Sequence, residues 1–256
     1  MPTPLNFTDL LRLLDERYVA FRSVVASAPD LDAPVPTCPG WTVFDLAVHI
    51  GQGRRSWAAT VAAGPSGTGR IPFSGVPAAP REREALVDWL ADSCQELLGA
   101  LAQAGPDRGC WTWWGDSQSP LTTGAVARHQ LHEISMHTYD AQVAVGSTQP
   151  LPTPIALDGV EEFLLTCCST TMIAWPHEPA TIDYEATEGG SWRQHLSAEG
   201  SRITRNDGTE STAGVRIRGT ASDLVLFLFG RIPIESLAID GDRKIVDQVT
   251  TWDWSA

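Results

Sequence analysis

The chain has 256 residues, 43% of them hydrophobic, and a formal net charge of −13 from 31 acidic and 18 basic side chains. That length suffices to bury one large core or two small ones, and the acidic balance argues against the clustered Lys and Arg that a nucleic-acid surface needs. The longest wholly apolar run, Leu224 to Phe229, is too short to span a bilayer. No basic-then-apolar leader opens the chain, and five cysteines without a C-x-x-C pair read as reduced thiols. A cytoplasmic protein is therefore expected, monomeric or weakly dimeric, with no nucleic-acid or membrane partner. Lys244 is the single lysine against seventeen arginines, a skew of GC-rich genomes that suggests an actinobacterial source.

Taken in order, Phe7, Leu10, Leu11, Leu14, Tyr18, Phe21 and Val25 recur at helical spacing and predict a helix over 6–28 with one apolar stripe. Prolines make 29–39 a loop. Thr42 followed by Asp45 has the spacing of an N-cap and its third helical residue, so a second helix is predicted over 43–63. Leu46, His49, Gly53 and Trp57 share one of its faces, which turns His49 inward. A lone inward histidine reads as a hydrogen-bonded core residue before it reads as a ligand. Asp45, one turn earlier, is a candidate to orient its ring, and Cys38 reads as a structural thiol. A loop dense in Gly and Pro covers 64–80. A third helix follows over 82–103, with Leu86, Trp89, Leu90, Leu97 and Leu101 inward. The three tryptophans of 111–114 read as packing under a loop or as the mouth of a site.

No Pro or Gly interrupts 125–145, which predicts a fourth helix. At about 100° per residue His129, Glu133 and His137 lie on one face, with Asp140 a turn further on. A buried carboxylate between two imidazoles is costly unless its charge is compensated, and a divalent ion would do that. His132 points elsewhere and is five residues from His137, so this is not the zincin motif. Glu133 and His137 supply two ligands, whereas a catalytic zinc commonly takes three protein ligands and keeps one position open. Spacing alone does not identify the third, and a solvated Glu–His pair remains the competing reading. Four amphipathic helices in this order predict an up-down-up-down four-helix bundle over 1–148.

Beyond Gly146 the segment 149–154 reads as a stiff proline linker, and 155–256 as a second domain. It is predicted to hold a helix over 155–172, strands near 181–186, 192–198, 201–205 and 215–219, and a short helix over 221–229. A strand over 236–239 and a last helix over 243–249 complete it. Turns at 188–190, 199–200 and 206–208 separate the strands. The predicted fold class is α+β with an antiparallel sheet. Arg231 is the one residue here marked for a substrate carboxylate, since a guanidinium fork matches that shape; a surface salt bridge is the alternative.

The run C-P-G-W-T-x-x-D-L-x-x-H at Cys38–His49, followed by H-E-x-x-x-H-x-x-D-A at His132–Ala141, resembles the mycothiol-dependent maleylpyruvate isomerase family. The order of 219–224, 230–231 and 241–242 resembles that family's C-terminal domain. The resemblance implies a DinB-like metal-binding bundle with a divalent ion, usually zinc, on His49, Glu133 and His137, and mycothiol as the thiol cofactor. A zinc-bound mycothiol thiolate would attack a small electrophile, giving isomerisation or S-transfer. Two other readings stand beside it: a metal-dependent hydrolase using zinc-bound water, and a non-catalytic small-ligand-binding protein. The C-terminal domain is expected to cover the open side of the metal with Arg231 facing the cleft.

Overall fold

The computed structural model describes residues 5–72, 77–206 and 213–252, which form two compact units. The first holds four helices: α1 (Phe7–Ser27), α2 (Val43–Ala63), α3 (Arg83–Ala104) and α4 (Thr123–Ala144). Three of the four starts are chemically marked. Asn6, Thr42 and Thr122 accept from the backbone N–H three residues on, satisfying a donor that the first turn leaves orphaned. The predicted stripe of α1 is the buried one: Leu14, Tyr18, Phe21 and Val25 are wholly covered, and Leu46, Ile50, Leu86, Leu90, Leu97 and Leu101 join them in one core. Each such side chain contributes about 1.5–3 kcal/mol of transfer free energy.

Cross-helix contacts fix the helix directions. Arg55, 7% exposed, donates to the carbonyl of Trp89 at 3.0 Å and to Glu96 at 3.1 Å, while Gly51 one turn earlier sits against the ring of Trp89. α2 and α3 therefore run the same way. Arg83 at the start of α3 donates to Val25 near the end of α1, and Cys94 meets Asp15, so α1 and α3 run oppositely. His49 meets Glu133 and Arg54 meets Gln130, so α2 and α4 also run oppositely. The bundle is up-down-down-up, where strict alternation was expected. The long segment after α2 allows this, because it returns the chain along α2 before α3 begins. Gly51 is required here: a Cβ on it would lie 1.9 Å from the Trp89 ring.

The second unit comprises Trp114–Ser119 and the chain from Leu151. α5 (Thr153–Cys167) begins inside the predicted linker, with Pro154 in its first turn, where the missing N–H costs nothing. The sheet order is β3-β2-β1-β4-β5, built from β1 (Ala180–Ala186), β2 (Ser191–Ser197), β3 (Gly200–Arg205), β4 (Val215–Gly219) and β5 (Ala238–Gly241). β1, β2 and β3 form an antiparallel meander, turned at Gly189, Gly190 and Gly200 with φ of 102°, 109° and 106°. The sheet is not wholly antiparallel, because β4 pairs with β1 in parallel. Residue alternation marks a strand but not its direction. β5 starts two residues later than predicted, after a 3-10 turn at Ile234–Ser236. Part of the turn expected at 206–208 lies outside the described residues. α6 (Ala221–Leu228) and α7 (Arg243–Thr250) complete the unit.

Candidate metal centre

The first half of the site is built by a turn. Trp41 N–H donates to the carbonyl of Cys38 at 3.0 Å across Pro39-Gly40, and Gly40 has φ 85°. Pro at the second position and a positive-φ Gly at the third are what a type II turn requires. Val35 N–H donates to Trp41 O and Val43 N–H to Ala33 O, tying this turn to the incoming loop. Thr42 then caps α2, and the Asp45 carboxylate answers with bonds to Thr42 N at 2.9 Å and Thr42 Oγ1 at 2.7 Å. Those bonds hold Asp45 below the usual carboxylate range. Asp45 is thus spent on the capping box and does not orient His49 as the sequence suggested.

The second half comes from α4. Its 3.6-residue repeat puts Glu133 and His137 on one face, one turn apart, and α2 brings His49 across to them. One donor atom from each of His49, Glu133 and His137 lies within 4.8 Å of the others. His49 Nε2 is 3.3 Å from Glu133 Oε1. Zinc–donor bonds of about 2.0–2.1 Å in a tetrahedron place neighbouring donors about 3.3 Å apart, so this pair already has the required separation. Two imidazoles and one carboxylate are a donor set suited to a divalent first-row ion. The side chains of His49 and Glu133 are 36% and 23% exposed, so the cluster opens to solvent on one side. Burial would raise the Glu133 carboxyl, but the hydrogen bond with His49 and the charges of Arg54, His129 and His137 hold it well below its ordinary range. The ionised form is therefore the favoured one.

Asp140, wholly buried, lies 2.9 Å from His137 Nδ1, which leaves Nε2 as the outward-facing nitrogen. Cys38 Sγ donates to the same carboxylate at 3.4 Å. Cys38, His137 and Asp140 therefore form a second close set of donors sharing His137. A thiol stands beside the cluster, where the sequence suggested only a structural cysteine. His129 is on the expected face, its Nε2 3.7 Å from Glu133 Oε2, and lies outside the two donor sets. His132 is buried and in neither. Arg231, in the other unit, is half-buried just beyond α6 and donates to the carbonyl of Phe229 at 2.7 Å.

Several residues of the site were not legible as such. Trp41 packs its ring on His49 at 4.9 Å and stacks on His137 at 6.4 Å. Trp113, 50% exposed, stands edge-on to His129 at 5.7 Å. Arg54 reads as a polar helix residue yet is 1% exposed; it is hydrogen-bonded to Gln130 and lies 5.0 Å from the Tyr18 ring centre. Burial pushes its guanidinium down to about 10, still charged at neutral pH.

Two family models match the chain: the mycothiol maleylpyruvate isomerase N-terminal domain over residues 11–142, and the C-terminal domain of the same enzyme over 154–248. Together they cover most of its length. Two solved structures described as the mycothiol-dependent maleylpyruvate isomerase, one of them a point mutant, share the fold, with TM-scores of 0.58 and 0.59. Their identities are 14% and 13%, and each alignment covers 92% of this chain and 93% of the other. No curated protein sequence matches. No helix among the described residues is long and apolar enough to cross a membrane. The chain belongs to the mycothiol maleylpyruvate isomerase family, a family of enzymes.

Proposed function

We propose that this member of the family adds the sulfur of mycothiol to a small electrophilic substrate at a divalent ion, zinc by preference, held by His49, Glu133 and His137. What supports the reading is the convergence of those three side chains within 4.8 Å in a chain of this family. When bound, the ion would supply the positive charge that lets a thiol lose its proton near neutral pH.

The chain's own residues do the rest. Asp140, 2.9 Å from His137 Nδ1, would hold the ring with Nε2 turned away from it and toward the ion. Glu133 stays ionised and balances charge. Trp41 covers the two imidazoles and thins the water around them, which strengthens every charge interaction there. The thiolate would add to an activated carbon–carbon double bond, sending the electron pair toward the conjugated carbonyl. Rotation about the resulting single bond and expulsion of the sulfur would give isomerisation, with maleylpyruvate as the model substrate. Protonation of the enolate carbon from solvent and release of the adduct would give S-transfer. The binding residues are the same in both outcomes. Arg231 is proposed to receive a charged group of the substrate, on guanidinium chemistry alone.

The test is turnover of a cis-unsaturated oxo acid by zinc-loaded, full-length protein with and without thiol. The expected result is strict dependence on added thiol, mycothiol before glutathione. An unchanged rate without thiol overturns the proposal and supports hydrolysis.

A further inference from the structure

The second unit holds a cavity of about 650 Å³ against the β2–β3 hairpin. Three pieces of chain wall it: the strap Trp114–Ser119, the turn after α5, and the hairpin itself. Gln118 pins the strap by pairing its amide with the edge of β3. Its Nε2 donates to the carbonyl of Ile203 at 3.0 Å, and its Oε1 accepts from Ile203 N–H at 2.5 Å. Thr170, in the turn after α5, exchanges both backbone bonds with Ser201 at 3.0 and 2.8 Å. Gly200 permits that approach: at φ 106°, a Cβ on it would lie 2.1 Å from the carbonyl oxygen of Thr170. The edge of β3 is thus covered, and the walls are held by backbone bonds before any ligand arrives.

Into this frame the chain sends polar groups of both kinds. His195 and Arg202 stand directly opposite in register and so project from the same side of the hairpin. His195 shares Nε2 with Thr204 Oγ1 at 3.0 Å. Asp116 accepts from Thr170 Oγ1 at 2.7 Å with one oxygen, and its other oxygen is unengaged among the described residues. The guanidinium of Arg202, the carboxylate of Glu199 and the hydroxyl of Thr171 likewise have no hydrogen-bond or ion-pair partner among the described residues. An anion here would meet two carboxylates, and a cation would meet a guanidinium, so net charge selects neither. What the cavity offers is donors beside acceptors. A hydroxyl is both at once, and a ring that carries several satisfies such walls together. No Trp, Tyr or Phe lines the cavity among the described residues, so recognition would be by hydrogen bonds and not by stacking. Its volume suits a small cyclic ligand.

We propose that this cavity binds a polyhydroxylated ring, a cyclitol or a sugar, with Arg202 as the main donor and Asp116 as the main acceptor. Two sources share that chemistry: a free cyclitol or sugar, and the inositol–glucosamine part of mycothiol. The second source rests on the thiol-addition reading; the site itself does not.

Amide chemical-shift mapping of zinc-loaded, full-length protein titrated with myo-inositol and with glucosaminyl-inositol tests it. The expected result is saturable shifts at Thr171, Ser197 and Arg202, with a Kd of about 1 mM or below. Arg202→Ala and Asp116→Asn should each weaken binding about 10-fold. Both should leave the fold intact, since the Arg202 side chain makes no bond in it and Asn keeps the bond from Thr170. Tighter binding of glucosaminyl-inositol than of myo-inositol assigns the site to the thiol, and equal affinity assigns it to a free ring. No saturable shift at these residues with either compound overturns the proposal. So does equal affinity in the wild type and both variants, or a response to succinate or glycine in place of the polyols. Absence of thiol-dependent turnover would sink the functional reading instead and leave this titration to decide the cavity.

Discussion

In the C-terminal unit Arg193 and Asp183 are buried side by side on β2 and β1 and answer each other with bonds of 2.6 and 2.7 Å, with Asn206 adding a third to the same carboxylate. In the bundle Arg54 is buried as deeply, yet among the described residues two of its nitrogens meet no acceptor, and near it Glu133 faces His49 and His129 on a side open to solvent. Both arrangements place charge inside a core. The first is closed: donors and acceptors match, so it specifies strand register. The second is open to solvent on one side, and the divalent ion proposed above would complete it. A buried charge is thus informative through what remains unmatched around it.

Breaking the closed pair should have the largest effect. Asp183→Ala leaves Arg193 buried without its partner and is expected to cost about 3–5 kcal/mol of stability, read by denaturant unfolding. Zinc affinity of the folded fraction should not change. A loss of zinc at constant stability would erase the distinction between the two regions.

Thiols sharpen the comparison, because here the units should behave alike. Burial pushes Cys94 in the bundle up to about 12, helped by Asp15, and Cys168 in the other unit up to about 12, helped by Glu162. At pH 8 each should alkylate about a thousandfold more slowly than a free thiol, as followed by mass spectrometry. Both folded values lie above the ordinary one. The stability these thiols contribute is therefore present below about pH 9 and is lost as pH rises toward 12. Rapid native labelling of either would contradict the packing described.

Asp140→Asn probes the incomplete cluster without emptying it. Loss of its support of His137 should weaken zinc binding by about 10–100-fold, measured with a competing chelator. Full affinity in that variant would make Asp140 a packing residue only. The smallest effect is expected from Thr42→Ala, which removes one side of the capping box and should cost about 1 kcal/mol, read by thermal unfolding. Zinc affinity should fall slightly, because the same turn presents Trp41.

Local periodicity made much of this visible. The stripe of α1, the Thr42–Asp45 cap and the shared face of Glu133 and His137 each depend on residues within a turn or two, and the structure has all three. His49 came from family resemblance, since no spacing links residues 49 and 133. What stayed hidden was set by the chain's return path: the parallel run of α2 and α3 and the parallel pairing of β1 and β4. Arg54 was hidden for a second reason. A charged residue on a helix reads as solvated, and only neighbours from α1 and α4 reveal that it is enclosed.

The central claim is that His49, Glu133 and His137 hold one divalent ion. Elemental analysis of full-length protein purified without a polyhistidine tag, beside the His137→Ala and Glu133→Gln variants, tests it most directly. The account predicts about one zinc per chain in the wild type, and loss of tight binding in both variants with the fold retained. Full occupancy persisting in His137→Ala would contradict it.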